Sequence, residues 1–302
     1  MHGRRHYRIA GWLTLLLASA AGCADPVPPP PVSAGPCSDA ATRFDACSAG
    51  VIKGRVVWSG GLPRAETIPY PGTVQLPGGD ATALLRNPNA PIIDPKSRSV
   101  RDAVICLRDI DPARARPWDH PPVQVEMRDL RFHILQGTEP ARVGFVRRGD
   151  TVEMVSRDGR FHHLRARGGA YFALAFPDPD DPLIRPLERN GVVELSSGAG
   201  YFWMRAYLLV DDHPYYTLTD ADGRFTLSGV PPGRYEIVCW MPNWREARRA
   251  REPETGVVTR LHFHPPVVVT RPITLERGTI QTVDFQLTLE DFFRERSGGT
   301  GP

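Results

Sequence analysis

Short runs in which hydrophobic or β-branched residues alternate with polar ones recur along most of the chain. Ten runs stand out, and Gly, Pro, Asn and Asp separate them: VIKGRVVW, DAVICLRDI, VQVEM, DTVEMVS, AYFALAF, GVVELSS, RAYLLVDD, RFTLSGV, RYEIVCW and TVDFQLTL. This pattern predicts strands, and many short strands predict packed sheets. Only residues 40–46, 244–251 and 289–296 favour short helices. We therefore expect an all-β protein made of β-sandwiches.

The first residues follow a different pattern. Three arginines in residues 1–8 precede the apolar stretch IAGWLTLLLASAA, residues 9–21, which ends in small residues. The stretch is too short to span a bilayer as a helix. A basic segment followed by a short apolar one is typical of a secretory signal peptide, which we assign to residues 1–22.

That segment ends in AAGC, residues 20–23, which resembles a bacterial lipobox, although Leu is usual where Ala20 stands. The resemblance implies lipidation of Cys23; the alternative is ordinary secretion. The proline-rich segment ADPVPPPPVSAGP follows, and its composition favours an extended spacer. We expect residues 23–49 to form a lipid-attached tether, with the protein anchored to a membrane of the cell envelope, in the periplasm or at the outer membrane.

The net charge excludes one class of partner. The chain carries a formal charge of +3, and residues 1–22 contain three arginines and no acid. Removal of this segment leaves a charge of +3 − 3 = 0. A neutral protein has no electrostatic attraction for nucleic acid.

Four cysteines remain after Cys23, and outside the cytosol an even number favours disulfides. Cys37 and Cys47 bracket a short loop and are the expected pair. Cys106 and Cys239 lie in two predicted strands, where a bridge and buried free thiols are equally compatible with the sequence. No CxxC motif occurs, so a redox pair or a cysteine-rich zinc site is not indicated.

A local signal specific to one family lies in TDADGRFTLSGVPPGRYEIVCW, residues 219–240. Gly223 fits a tight turn capped by aspartates, and Tyr235, Ile237 and Cys239 alternate along the following strand. The segment resembles the carboxypeptidase regulatory-like module, a transthyretin-like β-sandwich.

The opening strands of that module are expected just before the turn, but their pattern occurs far upstream. GVIKGRVVW begins at residue 50, and DAVICLRDI covers residues 102–110. We therefore predict a split sandwich, with strands from residues 50–119 and from residues 213–290, followed by a tail at 291–302. The alternative is two independent modules in series.

Residues 120–212, between the two parts, have the length of one further sandwich. They contain GDTV at 149–152, SRDGRFHH at 156–163, GVV at 191–193 and GAGYFWMRAY at 198–207. These motifs resemble a cupredoxin-like domain, inserted in or adjacent to the regulatory-like sandwich.

The resemblance implies which residues would stand at a copper site. His162 falls at the first imidazole ligand and Met204 at the weak axial thioether, whereas Gly198 falls at the thiolate and Tyr201 at the second imidazole. A blue-copper site needs two imidazoles and a thiolate. We therefore expect a remnant site and no cofactor, with copper as the alternative.

Other histidines are weaker candidates. His163 and His133 are possible ligands of a rebuilt site. His262 and His264 are two residues apart in RLHFHPP, a spacing that places them on one face of a strand. No Cys, Asp or Glu at a ligand-like spacing supports either pair.

We find no nucleophile elbow, no HExxH, no P-loop and no dinucleotide-binding glycine pattern, and we expect a noncatalytic protein that binds a glycan or an envelope protein. Seven aromatic residues are candidates for a recognition surface: Trp58, Tyr171, Tyr201, Phe202, Tyr215, Tyr216 and Trp244. The alternative function is a periplasmic copper protein that transfers electrons or stores copper. A third and weaker one is a polysaccharide enzyme with two acids in one cleft.

Overall fold

The structure is a computed structural model that describes residues 43–64, 67–69, 84–254 and 258–293. The predicted signal peptide, Cys23, Cys37 and residues 294–302 lie outside the described residues. Cys47 is disulfide-bonded, and its pairing with Cys37 stays a prediction. Within the described ranges, no helix has the length and apolar character needed to cross a membrane.

The described chain is all-β, as predicted, and all ten predicted runs form strands. The strands are β1 (Gly50–Ser59), β2 (Thr67–Pro69), β3 (Leu84–Arg86), β4 (Ile92–Ile93), β5 (Val100–Arg101), β6 (Val104–Arg108), β7 (Gln124–Arg128), β8 (Arg131–Leu135), β9 (Val143–Arg147), β10 (Thr151–Ser156), β11 (His162–Gly168), β12 (Phe172–Phe176), β13 (Leu183–Pro186), β14 (Gly191–Ser197), β15 (Arg205–Asp211), β16 (Tyr216–Leu218), β17 (Arg224–Val230), β18 (Gly233–Met241), β19 (Glu246–Arg251), β20 (Val258–Phe263), β21 (Val267–Leu275), β22 (Ile280–Thr282) and β23 (Phe285–Thr288). Two 3₁₀ turns lie at Pro112–Arg114 and Leu289–Phe292.

One sandwich combines strands from both ends of the described chain, and we call it the split sandwich. Its first sheet has the order β17-β1-β22, with β23 also paired to β1, and its second has the order β16-β6-β18-β21. β1 pairs antiparallel with β17 and β6 pairs antiparallel with β18. Strands that are more than a hundred residues apart in sequence are therefore direct neighbours.

The turn between β16 and β17 has the predicted capping. The Asp220 carboxylate accepts hydrogen bonds from the amides of Asp222 (2.9 Å) and Arg224 (2.8 Å). Gly223 has a φ of +73°, which favours glycine, and its carbonyl accepts from Val56 N at 2.8 Å. Tyr235, Ile237 and Cys239 share the core of the split sandwich, as their alternation predicts.

The second sandwich lies between β6 and β16 in the sequence, and we call it the insert sandwich. Its sheets have the orders β13-β10-β7-β8 and β12-β11-β14-β15-β9. Aliphatic and aromatic side chains from both sheets fill one core between them, and the largest fully buried ones are Met127, Ile134, Met154, Phe176 and Trp203.

A third apolar layer joins the two sandwiches, and we call it the junction layer. It consists of Val104, Cys106, Val143, Phe145, Tyr207, Leu209, Tyr216, Val238, Trp240 and Val268. The layer packs β6 and β18 of the split sandwich against β9 and β15 of the insert sandwich. β6 and β18 are therefore covered on both faces, which explains why they are continuous apolar runs.

The junction layer also settles the state of two cysteines. In the β6–β18 pair, Cys106 lies opposite Val238 and Cys239 lies opposite Ile105. Opposite residues share a face, so the two thiols point to different faces of one sheet. Both are free and buried, and burial raises the pKa of the Cys239 thiol to about 12.

The chain enters and leaves the insert sandwich at adjacent points. The His120 ring Nε2 is hydrogen-bonded to Pro214 O at 2.8 Å. Arg116 N donates to the Tyr215 hydroxyl at 2.9 Å, and that hydroxyl donates to Gly229 O at 2.7 Å. The two crossing segments are thus tied to each other and to the split sandwich.

Two helix predictions are wrong. Residues 43–46, the described part of the segment 40–46, contain a bend and the first residue of a turn instead of a helix. Residues 244–251, expected to be helical, contain strand β19, which pairs antiparallel with β20. Alternate β20 residues explain the pairing: Leu261 packs against the core of the insert sandwich, and the Phe263 ring lies 4.0 Å from the Arg205 guanidinium. This tertiary packing outweighs the helix propensity of a segment rich in Glu, Ala and Arg.

The tight packing around β1 can be tested by a substitution at Gly54. A Cβ at this position would lie 1.8 Å from Val283 O and 2.9 Å from the Phe225 ring. We expect Gly54→Ala to lower the free energy of unfolding by about 2 kcal/mol or more, because the clash involves backbone. The measurement is chemical denaturation. Gly61→Ala is the control, since nothing lies within 4 Å of a Cβ there, and equal stabilities of the two variants would contradict the packing.

Candidate metal centre

The residues of the predicted remnant site gather at one end of the insert sandwich. His162 begins β11, and the segment with Gly198, Tyr201 and Met204 connects β14 to β15. β11 and β14 run antiparallel, with Leu164 opposite Ser197, so the start of one strand meets the end of the other. The sheet therefore brings both parts of the sequence motif together.

His162 is 1% exposed and is held by its own loop. Its Nε2 lies 2.9 Å from Asp158 Oδ1, and the same oxygen accepts from Arg160 N at 3.1 Å. A carboxylate only accepts, so Nε2 carries a hydrogen, and in the neutral ring the lone pair is then on Nδ1. Nδ1 is buried and has no hydrogen-bond partner among the described residues. Sequence reasoning did not assign this role to Asp158, which lies four residues before the histidine.

Tyr201 fills the position expected for the second imidazole. Its ring centroid lies 5.6 Å from that of His162 and 6.0 Å from that of Trp203. Its carbonyl accepts from Met204 N at 2.9 Å, which closes the turn before β15. A contact between two aromatic rings therefore connects the start of β11 with the segment between β14 and β15.

Gly198 does not stand where a thiolate could reach His162. Its amide donates to His163 O at 2.6 Å, and a Cβ would lie 2.2 Å from His163 Nδ1 and 2.6 Å from Arg165 Nε. His163 and Arg165 alternate with the buried His162 and Leu164 along β11. A side chain at 198 would point to the outer face of the sheet, opposite to His162. The sequence spacing is compatible with a ligand here, but the strand geometry is not.

Met204 belongs to the core rather than to an open site. It is 1% exposed, as is its neighbour Trp203. The Trp203 indole donates to Leu130 O at 3.0 Å, and the Trp203 carbonyl accepts from Asn89 Nδ2 at 3.0 Å. Burial and hydrogen bonds to the insert sandwich and to the segment between β3 and β4 thus fix the end of the connecting segment.

The donor set does not fit a blue-copper site. It offers one imidazole lone pair and a buried thioether, without a thiolate or a second imidazole. In the part of the chain that the structure describes, no three His, Cys, Asp or Glu side chains converge as metal ligands. His163 lies on the outer face of β11, and His133 lies on β8 of the other sheet. His262 lies on β20, where its Nε2 is 3.2 Å from an Arg248 nitrogen.

The predicted aromatic surface is mostly interior. Trp58, Tyr215, Tyr216 and Trp244 are buried. Tyr171 is 72% exposed, and the Arg189 guanidinium lies 5.8 Å from its ring. The candidates therefore do not form one recognition surface.

Comparison with known proteins gives limited similarities. An oxidized amicyanin mutant, in which one proline is replaced by glycine, is 18% identical over 30% of this chain and 81% of that chain, with a TM-score of 0.24. A second amicyanin mutant, with a different proline replaced by glycine and in a reduced Cu(I) form, is 16% identical over 35% of this chain and 97% of that chain, with a TM-score of 0.24. A copper-containing nitrite reductase from Thermus scotoductus SA-01 is 17% identical over 32% of this chain and 24% of that chain, with a TM-score of 0.25. No family model and no curated protein sequence matches the chain.

The orientation of residue 198 can be tested by placing Cys and His at the two positions where the sequence motif would have copper ligands. We expect the double variant Gly198→Cys/Tyr201→His to show no intense thiolate-to-copper absorption with Cu(II), because a thiol at 198 faces away from His162. The matched control is Ser197→Cys/Tyr201→His, since Ser197 pairs with the core residue Leu164 and shares the face of His162. An intense band in the variant at position 198 would contradict this orientation.

Proposed function

We propose that this chain is a lipid-anchored, noncatalytic β-sandwich protein of the cell envelope. In this proposal the split sandwich is a regulatory-like, transthyretin-like module, and the insert sandwich is a cupredoxin-like domain that has lost its copper site. Both serve binding or structure rather than electron transfer. The order of β1, β6, β17 and β18 supports the first assignment, because strands from residues 50–108 and 216–288 form one sandwich.

The observation that carries the proposal is the closed state of the former ligand pocket. His162 is engaged by Asp158, Tyr201 stands beside it, and the backbone at Gly198 directs any side chain outward. Losing a thiolate removes the strongest bond of a cupredoxin site. The described residues of this site therefore lack the donors for stable redox copper.

The unpartnered Nδ1 of His162 favours a second candidate function, copper binding. A metal binds a ring nitrogen that has a free lone pair, and the buried Nδ1 of His162 has no hydrogen-bond partner among the described residues. This candidate requires Tyr201 to move and further donors to approach, since one imidazole holds a metal weakly. Copper retention separates the two functions.

The experiment measures how much copper the mature protein retains. The protein is loaded with Cu(II), and separately with Cu(I) under reducing conditions, and is then treated with a chelator and desalted. We expect elemental analysis to find far less than one copper per chain, with the same value for His162→Ala and for the outer-face control His163→Ala. One retained copper per chain, lost only in His162→Ala, would establish the copper protein instead.

The anchor has its own test in the native host. We expect incorporation of a labelled fatty acid into the wild-type protein and its loss in Cys23→Ser, since the lipobox-like segment implies that the lipid is attached through the thiol of Cys23. The neighbouring Ala24→Ser is the control and should keep the label. Equal labelling of Cys23→Ser and wild type would remove the anchor from the proposal.

A further inference from the structure

The β19–β20 hairpin, which comes from the split sandwich, lies over the outer face of the insert sandwich and encloses a cleft. The cleft has a volume of about 290 Å³. Polar residues of the insert sheet and of the hairpin line it, together with His264 just after the hairpin. We call the following six the basic cleft: Arg167, Glu194, Arg205, Tyr207, Arg260 and His262. Phe263, Pro265 and Pro266 form an apolar wall of the cleft. The site is separate from His162, which lies in the interior of the same sandwich.

Positive charge dominates the basic cleft. Glu194 is the only carboxylate among the described residues that line it, and its Oε1 is already 3.2 Å from Arg205 Nε. Burial and the charges of Arg167, Arg165 and Arg248 lower the pKa of the Arg260 guanidinium, and only Glu194 opposes them. Such mutual repulsion between arginines is relieved when an anion binds between them.

The floor of the cleft is fixed before any ligand arrives. Arg205 is 8% exposed, it donates to Asn243 O at 3.2 Å, and its guanidinium lies between the rings of Phe263 at 4.0 Å and Tyr207 at 5.3 Å. These contacts leave little side-chain freedom to lose on binding.

A buried donor without a partner is a second, independent sign of a ligand. Tyr207 is 3% exposed, and its hydroxyl has no hydrogen-bond partner among the described residues. Burial raises the pKa of this phenol to about 12, so it keeps its proton and can donate. An unsatisfied buried hydroxyl costs about 1–3 kcal/mol, which a ligand oxygen would recover.

We propose that the basic cleft binds the oxyanion group, a carboxylate or a phosphate, of a sugar-sized ligand. Arg167 and Arg260 supply the fork-shaped donors that suit both groups, and the Tyr207 hydroxyl supplies a further one. The apolar wall at Phe263 suits the face of a sugar ring. This inference rests on the proposed binding function and names the ligand class for it.

The test is calorimetric titration of the mature protein with four probes: glucuronate, glucose 6-phosphate, inorganic phosphate and uncharged glucose. We expect saturable binding of at least one anionic sugar, weakened by added salt, and none of glucose. Glucuronate and glucose 6-phosphate distinguish the carboxylate source from the phosphate source. Inorganic phosphate shows whether the sugar ring contributes.

Variants assign the binding to this cleft. We expect Arg167→Gln and Arg260→Gln each to weaken binding by about tenfold, and Tyr207→Phe, which keeps shape and charge, by several-fold. Arg224→Gln removes the same charge from an exposed strand of the split sandwich and should leave the affinity within about twofold. Arg167 is exposed, so its replacement leaves folding intact.

Two results would overturn the proposal: no saturable binding of any anionic probe, or binding that Arg167→Gln and Arg260→Gln leave unchanged. Copper retention is measured separately, so anion binding by a protein that also holds copper would refute the proposed loss of the copper site and keep the cleft. A protein that holds neither copper nor anions would refute the cleft alone.

Discussion

The junction layer is the contact on which the rest of the structure depends. It buries the outer faces of two sheets against each other, so that four sheets stack through three apolar layers. At roughly 25 cal/mol per Å² of apolar surface, a layer with Trp240, Tyr207 and Phe145 in it is a major part of the folding free energy. It also fixes β15, which follows the loop with Gly198, Tyr201 and Met204 and whose outer face forms the floor of the basic cleft.

The same layer explains how far the sequence could predict the fold. Alternation and turn residues identified ten of the seventeen strands of the two sandwiches and missed β8, β9, β11, β13, β16, β21 and β22. The cap at Asp220 was predicted correctly. β11 was not recognised, because its outward His163, Arg165 and Arg167 make the segment polar although its inward residues are buried. β19 was expected to be helical, because nothing local shows that Leu261 and Phe263 of its partner strand have a surface to cover.

The candidate site shows a different limit of sequence reasoning. The spacing of the motif identified His162 and the segment with Gly198, Tyr201 and Met204. The structure brings both to one end of the insert sandwich. The spacing of residues in the sequence does not show to which face of the sheet a side chain at position 198 points, because a shift of one residue in the strand register reverses the face. The role of Asp158 depends on the same loop geometry. The basic cleft combines residues that are nearly a hundred positions apart, so it becomes visible only in three dimensions.

The way the chain enters and leaves the insert sandwich has a consequence for how the molecule reaches its native state. β1 and β6 pair with β17 and β18 only after the chain from residue 60 to residue 223 and the chain from residue 109 to residue 232 have been closed into loops. Closing such long flexible loops is entropically costly. If residues 120–212 collapse first, their ends meet at His120 and Pro214, and the effective loop becomes short. The insert sandwich then forms before the split sandwich. Because synthesis runs from the N-terminus to the C-terminus, the apolar faces of β1 and β6 stay uncovered until β17 and β18 have been made.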